Sequence, residues 1–217
     1  MLKREYIRHI EEMTRRVRCE VFYLESPSSN IFRVLPLREL AARAHACGAA
    51  AVMENTWATP LYQKPLELGI DYSIHSATKY LGGHSDILGG EGRALSGAAP
   101  VRAEGYYPGL ASDEGHALAE TQMTGYSGLM SFVPDADNDA ITKMVKSLDV
   151  FEEGPSWGGF ESVVNTPGLS AREVRDFEGV PEGLVRISVG LEDADTLIAD
   201  LDRALCAMPE RKAPGTV

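Results

Sequence analysis

The sequence predicts an α/β unit followed by a smaller α+β unit, and three observations predict it. In the first half, short apolar runs flank an Ala/Leu-rich helical stretch with tight links, the pattern of a mostly parallel sheet with helices. In the second half, strand-like and helix-like stretches mix without that alternation. Between them lies LGGEGRALSGAAPVRAEG, rich in small residues and without a period, which reads as a join. The expected division is a sheet-bearing unit over 1–92, a short linker over 93–105 and a second unit over 106–217.

Each element follows from its own pattern. Residues 1–18 place Ile7, Ile10, Met13 and Val17 near one face of a charged helix. Residues 21–24 form an apolar run read as a buried strand, and SPSSN follows as a loop. Residues 37–47 read as a helix stopped by Gly48. Residues 49–53 read as a second buried strand, with ENTWATP as the loop at its end. Residues 72–75 read as a third strand, followed by HSATKYLGGHSD. In the second unit, 114–121 and 136–147 look helical and 129–133 strand-like. Residues 184–189 alternate apolar and polar, as a half-buried strand does. Residues 193–207 form an amphipathic helix with Leu197, Ile198, Leu201 and Leu205 on one face.

Composition narrows the function classes. The 217 residues are 44% hydrophobic, enough for a core, and carry a net charge of −11. That acidity argues against nucleic acid or an anionic membrane as partner, since both need a positive surface. No apolar run approaches a bilayer span. MLKREYIRHIEEMTRR lacks the apolar core of a secretory signal. Cys19, Cys47 and Cys206 fit neither a disulfide framework nor a zinc pattern, so a cytoplasmic location is expected. The five histidines have no metal-ligand spacing. Cys47, inside a helix, is expected in the core, and Trp57 and Trp157 are expected to pack.

The chemistry centres on Lys79. In open α/β sheets, ligands bind outside the carboxyl ends of the strands. There Ser76 and Thr78 supply two hydroxyls able to donate to phosphate, and Lys79 supplies an amine. Lysine becomes a nucleophile when desolvation or a neighbouring cation lowers its pKa. An aldehyde cofactor with a phosphate handle suits this set, and Gly82 and Gly83 leave room for its approach. The same residues equally suit a solvated loop. Glu54, at the end of a strand, suits an acidic partner for the pyridine nitrogen of such a cofactor; it equally suits a carboxylate in water just past the strand.

Five stretches carry a wider resemblance: YLESPSS, GAAAVMENTWATPLYQKPLELGIDYSIHSATKYLGGHSDILGG, YYPGLASDEGHALAETQMTGYSGLMSF, SWGGFESV and EGLVRISVGLEDADTLIADLDRAL. With them the chain resembles the pyridoxal-phosphate enzymes of cysteine and methionine metabolism: cystathionine β-lyase, γ-lyase and γ-synthase, and methionine γ-lyase. The resemblance implies part of a fold-type-I PLP-dependent transferase large domain plus the smaller C-terminal domain. It implies pyridoxal 5'-phosphate as cofactor, with Lys79 as the Schiff-base lysine and proton shuttle. Ser76 and Thr78 would hold the phosphate, Glu54 the ring nitrogen, and Arg186 and Ser156 the substrate α-carboxylate. The implied substrate is a small sulfur amino acid, cystathionine cleaved at Cβ to homocysteine, pyruvate and ammonia. TWATPLY and SWGGFES look like the β-lyase; HSATKYLGGHSD, YYPGL and QMTGYSG look more like the γ-synthase and γ-lyase.

Three departures stand out. Glu54 replaces the family's aspartate, and Ser29 stands where many members have asparagine near the cofactor. The third is length: the resemblance implies a truncated chain, without the glycine-rich phosphate loop, the ring-stacking aromatic residue and the linking helix. The expectations are therefore a less stable, association-prone chain, a homo-oligomer or association with a full-length homologue, and the rival outcome of a relative without turnover.

Overall fold

The computed structural model describes residues 19–81 and 103–209. The expected helix over 1–18, Gly82, Gly83, His84, Asp86 and most of the 93–105 linker lie outside those residues. Strand β1 (Val21–Glu25), helix α1 (Leu37–Ala46), strand β2 (Ala50–Glu54), the helical turn α2 (Thr59–Tyr62) and strand β3 (Tyr72–Ile74) come first. The three strands are parallel, in the order β1-β2-β3, with Glu25 opposite Glu54 and Glu54 opposite Ile74. Helix α1 covers one face: its Leu37, Leu40, Ala41 and Ala44 pack with Phe22, Leu24, Ala51 and Met53. Gly48 at φ +74° ends the helix in the left-handed conformation that glycine tolerates. Strands β1 and β2 are thus half-buried, not buried as their apolar runs suggested. Among the described residues only one face is covered, and Val21, Tyr23, Tyr72 and Ile74 remain exposed.

The second sheet has five strands: β4 (Ala103–Tyr106), β5 (Leu129–Pro134), β6 (Glu152–Glu153), β7 (Val163–Asn165) and β8 (Val185–Ser188). Their order is β4-β5-β8-β7-β6, antiparallel except for β6 with β7. Strand β4 begins inside the segment read as linker. Strand β8 corrects the half-buried reading. It lies between β5 and β7, so Val185, Arg186, Ile187 and Ser188 are all buried, on both faces.

Among the described residues, four helices accompany this sheet: α3 (His116–Ala119), α4 (Asn138–Lys146), α5 (Arg172–Glu178) and α6 (Ala194–Cys206). Asp137 caps α4 by accepting from the Ala140 amide at 2.8 Å. Asp193 caps α6 by accepting from the Thr196 amide at 3.0 Å. Helix α3 occupies only the middle of the predicted 114–121. Cys47 is exposed, against expectation, because it is the C-cap of α1 and lies past its last buried turn. Trp57 packs as expected: it is buried against Phe32 and donates its indole N–H to the Leu129 carbonyl at 3.2 Å.

The first sheet keeps its own core against α1, while the loop residues Phe32, Val34, Trp57 and Ala58 that leave it pack into the separate core of the second sheet. Gln122 adds a polar clasp, accepting from the Leu37 amide at 2.9 Å and donating to the Leu35 carbonyl at 3.0 Å. A second polar anchor holds α6. The buried Asp200 carboxylate accepts from the Asp149 and Val150 amides, the latter at 2.9 Å, and pairs with Arg203. Burial opposes its ionisation, yet those amides and the guanidinium together hold its pKa below the ordinary carboxylate value. Asp200→Ala would leave two backbone donors without their acceptor, at a cost of about 2–3 kcal/mol. Because the folded pKa is the lower one, the unfolded chain takes up the proton first. The contribution is therefore full above about pH 4 and is lost as pH falls through the folded value. Urea midpoints of both chains at neutral pH and at pH 3 check this: the gap narrows in acid.

Candidate active site

The loops that leave the carboxyl ends of β1, β2 and β3 lie on one side of the parallel sheet, and the second sheet faces them. Lys79 sits in a short helical segment, Ala77–Leu81, whose regular path it breaks with φ −97° and ψ −123°. Its Nζ donates to Ser156 Oγ at 2.9 Å, across 77 residues of sequence. The ammonium also lies 5.0 Å from the centroid of the Trp157 ring, a cation–π distance. Trp157 in turn meets Tyr80 edge-on at 5.6 Å. Gly158 completes this corner at φ +80°, donating its N–H to Ser188 Oγ at 3.2 Å. A β-carbon there would touch Lys79 Cβ and the Tyr80 amide nitrogen at 3.4 Å. Burial, and secondarily the Arg186 cation, depress the Lys79 pKa, the direction that favours a nucleophilic amine.

Ser76 and Thr78 stand together, their hydroxyl oxygens 2.9 Å apart. Glu54, the last residue of β2, folds back on its own loop: its Oε1 accepts from the Thr56 amide at 2.8 Å and from the Thr56 hydroxyl. Thr56 Oγ1 accepts from the Ser76 amide at 2.8 Å. The neighbouring Glu25 carboxyl accepts from the Ser29 hydroxyl. Burial raises the Glu25 pKa, the Ser29 hydrogen bond opposes that, and the Glu54 charge adds to it.

Arg186 lies at the centre of β8, opposite Ser131 of β5 and Asn165 of β7. Its Nη2 donates to the Pro155 carbonyl at 2.8 Å. Its Nη1 donates to Asn30 Oδ1 at 3.2 Å and the Ser29 carbonyl at 3.4 Å. These acceptors orient the guanidinium. The structure thus joins Lys79 to Ser156, Ser76 to Thr78, and Arg186 to the SPSSN and PSW loops. It joins Glu54 to Ser76 only through Thr56, a residue the sequence reading did not single out. The one available signal was a hydroxyl two residues after the strand-end carboxylate.

A parallel sheet with a lysine-bearing loop at its carboxyl edge, closed by a second sheet that supplies an arginine, is a partial fold-type-I pyridoxal-phosphate-dependent transferase. The sequence profile of the Cys/Met metabolism PLP-dependent enzyme family matches residues 3–94 and 95–206, and the chain belongs to that family. It is 32% identical to cystathionine beta-lyase of Lactococcus lactis subsp. cremoris over 239 residues, covering 84% of this chain and 63% of that protein. It is 30% identical to cystathionine gamma-synthase of Escherichia coli (strain K12), over 85% of this chain and 62% of that one. Among solved structures, cystathionine gamma synthase of Xanthomonas oryzae pv. oryzae, in complex with aminoacrylate and cysteine, superposes with a TM-score of 0.79. That match has 29% identity and covers 87% of this chain and 63% of that one. The chain therefore spans a little under two thirds of the length of these relatives. The Lactococcus alignment, at 239 positions, is longer than the 217-residue chain, so that relative carries residues inside the match that this chain lacks. The two profile matches abut at 94 and 95, within the segment read as a join.

Proposed function

We propose that this chain binds pyridoxal 5'-phosphate and cleaves a sulfur amino acid, with cystathionine β-elimination as the reaction. The observation that carries the reading is the meeting of Lys79, Ser156 and Arg186 between the two sheets. The donor set fits the cofactor. Among the described residues, the Ser76 and Thr78 hydroxyls hydrogen-bond only to each other, so both are available to a phosphate. Glu54 uses Oε1 on Thr56 and keeps Oε2 for a pyridinium N–H. Bound there, pyridoxal phosphate supplies an electron sink that makes the substrate α-proton acidic.

The chain's own residues supply the rest. Arg186 and Ser156 grip the α-carboxylate through charge-assisted hydrogen bonds. Lys79 Nζ, with its pKa depressed, holds the cofactor and then takes the α-proton. Trp157 lies against it, its ring centroid 5.0 Å from Nζ. Cystathionine and water would give homocysteine, pyruvate and ammonia. The test is the keto acid released by the cofactor-loaded chain. A three-carbon acid with homocysteine supports β-elimination. A four-carbon acid with cysteine would assign the γ-type reaction instead. Cofactor attachment at Lys79 without any keto acid would make this a non-catalytic relative.

A further inference from the structure

We propose that Thr56 is a positioning residue that sets the spacing between the two ends of the cofactor site; this rests on the cofactor reading above. Thr56 is buried, 4% exposed, and lies between the two groups assigned to opposite ends of the ligand. Its hydroxyl makes one donated and one accepted bond in a consistent direction: the O–H is given to Glu54, and a lone pair accepts the Ser76 amide at 2.8 Å. Its own amide gives Glu54 Oε1 a second donor at 2.8 Å.

The arrangement answers a problem that a glutamate at this position sets. Glutamate carries one more methylene than aspartate and one more rotatable bond, so an untethered carboxylate would sweep a wide arc. Two donors from one residue fix Oε1 and leave Oε2 in a single place. The same hydroxyl fixes the Ser76 amide, and with it the start of the Ser76–Thr78–Lys79 loop. One oxygen thus ties the ring-nitrogen acceptor Glu54 to the phosphate pair that begins at Ser76, 22 residues further on in sequence. Misplacement by ~1 Å at such a site costs about 100-fold in rate, which gives a tether of this kind its value.

The experiment titrates the chain with pyridoxal phosphate and follows the visible band of the lysine-bound cofactor across pH. Lys79→Ala, Thr56→Val and Thr56→Ser are measured beside the unmodified chain. Thr56→Val keeps the shape and removes the hydroxyl; it should bind the cofactor about tenfold more weakly. It should also move the pH at which the band titrates upward by about one unit, a tenfold change. A less firmly held carboxylate stabilises the ring cation less. The lysine–cofactor nitrogen then loses its proton at higher pH. A change in packing alone would not move that titration. Thr56→Ser keeps the hydroxyl and should behave as the unmodified chain. Unchanged affinity and titration in Thr56→Val would overturn the role of Thr56 while leaving the cofactor reading intact. No Lys79-dependent band in the unmodified chain would overturn the cofactor reading and the role together. Should Thr56→Val not fold, Thr56→Ser decides: a tenfold weaker affinity in that variant refutes the proposal, and unmodified behaviour upholds it.

Discussion

Arg186→Ala is expected to lower kcat/KM on an amino acid substrate by about 100-fold or more, the range for truncating one partner of a buried, hydrogen-bonded charge pair. The loss has two separable parts. The first is the α-carboxylate grip proposed above: a guanidinium held by the Pro155 carbonyl and Asn30 Oδ1 is already aimed, so little entropy would be lost when substrate arrives. Arg186→Lys keeps the charge but not the fork and should recover only part of the loss. The second is electrostatic. Arg186 helps depress the Lys79 pKa. The free amine, the form that attacks an aldehyde, gains population as pH rises through that pKa. Without Arg186 the pKa moves up, so cofactor attachment should require higher pH. Substrate titrations and a pH series of attachment rates check the two parts independently.

Gly168→Ala should cost about 3 kcal/mol of stability, a large share of what a domain has. A β-carbon at Gly168 would stand 1.9 Å from the Leu184 amide nitrogen and 2.7 Å from the Gly183 carbonyl carbon. Both obstacles are backbone, so no side chain can swing aside. Gly168 must also stay close, since its N–H donates to the Leu184 carbonyl at 3.0 Å and its own carbonyl accepts from the Gly183 amide at 3.1 Å. That staple fixes the start of β8, two residues before Arg186. Gly179→Ala is the contrasting change. Gly179 has φ +66° and open space around it, so backbone strain of about 1 kcal/mol is its whole cost. Urea midpoints of the two variants should differ accordingly.

The sequence placed the candidate residues at the strand ends because their spacing is local. Ser76, Thr78 and Lys79 fall within four residues of one another, and Glu54 closes an apolar run. The parallel sheet followed from the same runs. What stayed hidden depends on long-range placement. The alternation at 184–189 suggested a strand with one wet face; only its neighbours on both sides bury Arg186 and Ser188. The apolar runs at 21–24 and 49–53 suggested burial on both faces, whereas the described residues cover one. Strands β6 and β7 are two and three residues long, too short for any period to show. Thr56 escaped notice because its partner is an amide 20 residues away. Asn30 offered no means of deciding whether it replaces the family asparagine displaced by Ser29; in the structure its side chain reaches Arg186.

The central claim is that Lys79 captures a phosphorylated aldehyde in the site between the two sheets. The most direct measurement is the visible absorbance of the folded chain with added pyridoxal phosphate, followed by borohydride reduction and peptide mass analysis, beside Lys79→Ala. The account predicts a new band that reduction fixes to the peptide containing Lys79 and that the variant lacks. A band of equal strength in the variant, label on other lysines, or no band from a chain that circular dichroism shows to be folded would contradict it.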